Sequence, residues 1–180
     1  MPKPRIVPLD APFEDAVAET FKQYLPAGMP PLKLFRTQAH NPRVLQRVFA
    51  GSLLDQGAIS MRARELVILR TCARCKSEYE WGVHVALFAK AAHLSESDVA
   101  ATLAQPHAGL AETDALLLDA VDELHDSSTI SDGLWARLER HYSASQIMEL
   151  IALVGTYHMI SFMTNAARVE LEDFAPRFPA

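Results

Sequence analysis

Helix breakers are missing from most of this chain. Residues 43–175 contain one proline, Pro106, and the 180 residues together hold only 7 glycines. So few turn residues exclude a β-sandwich and suit long helices. Cysteine is scarce as well. Two residues cannot build a disulfide scaffold, and the expected setting is a reducing cytoplasm. No Lys/Arg cluster is present and the formal net charge is −5, so neither nucleic acid nor a membrane is an expected partner. No apolar run follows the charges of residues 1–5, so no signal peptide is expected. The most apolar stretch, residues 147–163, is shorter than about 20 residues and contains Glu149 and His158. A buried helix is expected there rather than a membrane span.

What remains is ordinary for a globular domain, with 49% apolar and 22% charged residues. Eight of the 11 prolines fall in the first 42 residues. The expected organisation is a Pro-rich arm with a first helix over 1–31, then a single helical domain over 32–175. Asn41-Pro42 reads as an N-cap followed by proline at the first helical position. Ser60, Ser95, Ser131 and Ser143 read as further caps, and Ser77 with Glu80 fits a capping box. A helix start, or a kink, is therefore expected at Ser77. No strand alternation and no repeat is present. The fold class is all-α, with about eight helices.

Three features between Glu65 and His84 carry chemistry. Cys72 and Cys75 are three residues apart and share a helix face, so reversible disulfide chemistry is open to them. Core packing is the other reading of such cysteines. Zinc is not expected, because no second Cys/His pair sits at finger spacing. Glu80 and His84 lie one helical turn apart, where a carboxylate can orient an imidazole and raise its pKa for general acid–base work. Glu65 lies two turns before Cys72 on the same face and follows Arg62 and Arg64, where it could equally form an exposed ion pair.

Taken together, R-A-R-E-L-V-I-L-R over 62–70 and S-E-Y-E-W-G-V-H-V over 77–85 resemble the carboxymuconolactone decarboxylase family, whose superfamily includes the AhpD-like alkylhydroperoxidases. A-K-A-A-H-L-S over 89–95 resembles that family's A-x-x-A-G-L-S turn, with His93 where glycine is usual. Glu149, Tyr157, His158 and Asn165 fit the family's late helix. The resemblance spans about residues 40–170 and implies an AhpD-like helical bundle that assembles into homo-oligomers, from dimer to hexamer. AhpD-like peroxidases share a pattern of Glu, eleven residues, then C-x-x-C-x-x-x-H. Glu65 and His84 keep that interval, but Ser77 and Glu80 stand at the two cysteine positions. The S-E-Y-E-W-x-x-H form is more like the decarboxylase-type branch.

The expected activity is acid–base chemistry on a small carboxylated or lactone substrate. His84 would be the acid/base, Glu80 would orient it, and Glu65 would stand second in the relay. Tyr79, Trp81 and His158 are candidate pocket walls. Cys72 and Cys75 are the candidate redox pair of an alternative, thiol-dependent hydroperoxidase. A non-catalytic oligomeric ligand-binding module is the third reading. No metal or organic cofactor is implied.

Overall fold

The computed structural model describes residues 3–107 and 109–179. Among these the chain forms nine α-helices and no strand: α1 Asp15–Tyr24, α2 Lys33–Gln38, α3 Pro42–Ala50, α4 Met61–Arg74, α5 Glu78–Phe88, α6 Glu96–Ala101, α7 Glu112–Ser127, α8 Asp132–Leu138 and α9 Ala144–Ala167. The serine caps act where the sequence places them. The side chains of Ser60, Ser95, Ser131 and Ser143 each accept a hydrogen bond from the backbone three residues on. Helix α3 ends at Ala50, with Gly51 as its C-cap.

The expected capping box at Ser77 does not form. Ser77 is the N-cap residue of α5, but its side chain makes no capping bond. Its hydroxyl pairs instead with that of Thr164 on α9 at 2.8 Å. Glu80 turns inward toward His84 and does not reach back to the cap. The break between α4 and α5 comes from the backbone: Lys76 takes a left-handed φ of 54°, and Ser77 N–H returns to the Cys72 carbonyl at 2.8 Å.

Helix α4 is the axis of the fold, packed by α5, α7 and α9. Residues 63–72 are buried without interruption, so this helix has no solvent-facing stripe over that stretch. Its four arginines are all paired, Arg74 with Asp122 and Asp126. Arg62 pairs with Asp98 and Asp114, and Arg70 with Asp122. Arg64 donates to Glu65 at 2.9 Å. The exposed ion pair considered for Glu65 is thus excluded, since Glu65 is fully buried.

Both chain ends are tied to this body. Arg5 N–H donates to the Ala167 carbonyl, and the Arg36 side chain holds Leu9 and Asp10 of the arm. The last residues cross α5, where Gly82 meets the Pro176 carbonyl. A Cβ on Gly82 would sit 2.3 Å from that oxygen, so no other residue fits. Helix α9 is long and apolar enough to cross a membrane by length and composition, yet it packs against α4, α5 and α7. Met148, Met159 and Phe162 remain exposed on it.

Candidate functional site

Four side chains from three helices meet in the interior. Helix α4 brings Glu65, α5 brings Glu80 and His84 one turn apart, and α9 brings Tyr157. His84 Nδ1 contacts Glu65 Oε2 at 2.7 Å. On the other side of the ring, Nε2 lies 3.1 Å from the Tyr157 hydroxyl and 3.5 Å from Glu80 Oε1. The carboxylate in tight contact with the imidazole is therefore that of Glu65, nineteen residues away, while Glu80 stands at the opposite nitrogen. His84 is 2% exposed, and Glu80 Oε2 has no hydrogen-bond partner among the described residues.

Burial alone pushes the His84 pKa down. The hydrogen bonds and charges of Glu65 and Glu80 outweigh that and hold it at about 9. His84 is thus a cation at neutral pH, between two carboxylates and an edge-on Tyr157 ring. Burial and the same two carboxylates push the Tyr157 phenol up, keeping it a neutral donor. Phe88 closes the remaining side. Its half-buried ring centre lies 5.0 Å from that of His84, with the Arg64 guanidinium 5.8 Å above it.

The expected wall residues divide. Tyr79 is an internal strut: its hydroxyl accepts from Leu34 N–H at 3.0 Å and donates to Glu172 at 2.7 Å. Trp81 donates to the Thr102 hydroxyl at 3.3 Å and packs against Phe178. Neither contacts His84 in the hydrogen bonds or ring pairs formed there. His158 lies in a different place, beside Cys75.

The thiols are both free. Cys72 is fully buried, and burial together with the Glu80 charge pushes its pKa well up. Cys75 is half-buried at the C-terminal cap of α4. Burial raises its pKa too, although the Ser161 hydroxyl and Arg74 oppose the shift. Its sulfur lies 4.0 Å from His125 Nδ1, which in turn lies 2.9 Å from His158 Nε2.

Tyr157, Arg64 and His125 are functional candidates that spacing did not single out. Tyr157 stands 73 residues from His84 and His125 stands 50 from Cys75, so no local pattern links them. The visible signal was indirect: Tyr157 and His158 are polar residues in the middle of the most apolar helix.

Residues 41–122, a little under half the chain, match the model of the carboxymuconolactone decarboxylase family. No curated protein matches the sequence significantly. Among solved structures, the chain is similar to an uncharacterised peroxidase-related protein from Silicibacter sp. TM1040, with 19% identity, TM-score 0.78 and 96% of each chain covered. An uncharacterised peroxidase-related protein with an alkylhydroperoxidase AhpD core, from Ralstonia eutropha JMP134, matches at 18% identity and TM-score 0.78. The match covers 96% of this chain and 94% of that one. The debrominase Bmp8, in complex with 2,3,4-tribromopyrrole, matches at 18% identity and TM-score 0.73, covering 94% of this chain and 92% of that one. At these identities the likeness establishes a shared AhpD-like fold.

Proposed function

We propose that the chain, whose residues 41–122 match the carboxymuconolactone decarboxylase family model, is an acid–base enzyme of that family acting on a small carboxylated or lactone substrate. The observation that carries this reading is the buried imidazolium of His84, held by Glu65 at one nitrogen and facing Tyr157 and Glu80 with the other.

Decarboxylation breaks a C–C bond, releases CO2 and leaves an electron pair that spreads onto the lactone carbonyl. Nε2 of His84 is the proton donor that quenches this carbanion. A group held charged at neutral pH by two carboxylates is suited to that role. Glu65 fixes the ring and stabilises its cation. Glu80 takes up a proton from solvent as the site opens and passes it to Nε2, restoring the imidazolium after each turnover. Tyr157 donates to the developing oxyanion, and Arg64 pairs with the substrate carboxylate. Since His84 is sealed from solvent, the half-buried Phe88 is the side chain that moves to admit substrate. The exposed Met148, Met159 and Phe162 on α9 support assembly with further copies of the chain, and a monomer mass by light scattering would refute it.

A second reading, thiol-dependent hydroperoxide reduction, is favoured by two free thiols beside the Ser161 hydroxyl. Parallel assays of CO2 release from carboxymuconolactone and of cumene hydroperoxide reduction separate the two. Wild type and Cys72→Ser should both release CO2, and His84→Ala should lose at least about 100-fold in rate. Peroxide turnover that vanishes in Cys72→Ser would replace the acid–base reading with the thiol one.

A further inference from the structure

We propose that Cys75, His125 and His158 form a zinc-binding site, with three protein donors and an open fourth position. The three come from different places in the chain: the C-cap of α4, the last turn of α7 and the middle of α9. Their donor atoms, Cys75 Sγ and one ring nitrogen of each histidine, all lie within 4.8 Å of one another. Tetrahedral Zn2+, at its usual bond lengths to sulfur and imidazole, holds two nitrogens about 3.3 Å apart and sulfur about 3.6 Å from nitrogen. Here the nitrogens are 2.9 Å apart and the sulfur is 4.0 Å from His125 Nδ1. These two distances lie within about half an ångström of the tetrahedral values, and the third, from sulfur to His158, is within 4.8 Å.

The surroundings prepare the donors. His158 Nδ1–H donates to the Val154 carbonyl at 2.9 Å, so its proton is fixed there and Nε2 presents a lone pair. His125 then has only its own Nδ1 proton to place in the 2.9 Å contact between the rings. Cation binding moves that proton to His125 Nε2 and releases the Cys75 thiol proton to solvent. The Cys75 backbone is steadied by Asn165, whose side-chain N–H donates to the Cys75 carbonyl at 2.8 Å. No carboxylate belongs to the donor set. The nearby Asp122 and Asp126 are both engaged by Arg74. A thiolate with two imidazoles suits Zn2+ and disfavours Mg2+ or Ca2+. A surface hollow of about 570 Å3, lined by Arg74, Lys76, Gln105, His125 and Phe178 among others, gives an ion a route to His125. The site is separate from the His84 cluster and shares no residue with it.

Titrating the full-length, chelator-stripped protein with Zn2+ and then Co2+ tests the assignment. The expected result is one ion per chain, a rise in melting temperature with Zn2+, and visible Co2+ bands of tetrahedral intensity with a thiolate-to-cobalt band in the near ultraviolet. Losing an outer hydrogen-bond partner typically weakens a metal about 10- to 100-fold, so Cys75→Ser and His158→Asn should each weaken Zn2+ by more than that. Cys75→Ser should also abolish the charge-transfer band. Cys72→Ala should keep both. Circular dichroism of each apo variant establishes that it is folded before titration, and His125→Gln replaces any variant that is not. No binding by wild type, or undiminished binding by a folded Cys75→Ser, overturns the site. Neither result depends on turnover at His84.

Discussion

His84 and His125 sit on helices that pack against the same partner, α9, yet their surroundings drive them in opposite directions. Around His84 two buried carboxylates outweigh desolvation, and the ring is charged at neutral pH. Around His125, desolvation, the neighbouring His158 and Arg74 all act the same way, and its pKa falls below the usual value. One histidine is kept as a proton donor and the other as a neutral base. Burial pushes both imidazoles toward the neutral form, and the partners decide whether it prevails: two carboxylates overturn it at His84, while His158 and Arg74 add to it at His125.

The contrast breaks most severely at Glu65. Glu65→Ala removes the short contact to His84 and leaves the buried Arg64 without its carboxylate. Losing one member of a buried pair costs about 3–5 kcal/mol, so urea unfolding should give a loss of that order. A loss below about 1 kcal/mol would mean that Glu65 does not hold the cluster together. The next test is pH. The folded pKa of His84 lies above the unfolded value of 6.5, so its stabilisation is complete below about pH 6.5 and disappears as pH rises through about 9. Unfolding curves of wild type should decline over that window, while His84→Gln should lack this component. Identical profiles would show that His84 is not held charged. Tyr157→Phe is smaller, at about 1 kcal/mol for one buried hydrogen bond. It should leave the fold intact and slow turnover. Smallest is Asn165→Ala in the second cluster. Its bond to the Cys75 carbonyl is exposed, and the expected loss is about 0.5 kcal/mol. A Tyr157→Phe effect no larger than that of Asn165→Ala would erase the distinction between a sealed cluster and an open one.

Much of the fold was legible because it is encoded locally. Ser60, Ser95, Ser131 and Ser143 cap helices through atoms three residues away, and Asn41-Pro42 opens α3 as its sequence says. Ser77 misleads for the same reason in reverse. Its hydroxyl finds a better partner in Thr164, 87 residues away, which no local pattern announces. The candidate site divides along the same line. Glu65, Glu80 and His84 come from one helix–turn–helix segment and were visible from spacing. Tyr157 and the His125–His158 pair require α9 to be laid across α4 and α7, which only packing decides. His93 illustrates a middle case. It stands where the resemblance implies glycine, and the backbone there is left-handed, with φ at 54°, the region glycine favours.

Gly82 ties the candidate catalytic helix to the order of synthesis. Its missing Cβ makes room for the Pro176 carbonyl, which belongs to a segment 94 residues later in the chain. At about 5–20 residues per second, a ribosome delivers that segment roughly 5–20 s after Gly82 itself. During that interval α5 exposes the groove that the tail will fill, beside Trp81, whose ring awaits Phe178. Until the tail closes over it, the helix lacks the cover that Pro176 and Phe178 give Gly82 and Trp81 in the folded chain.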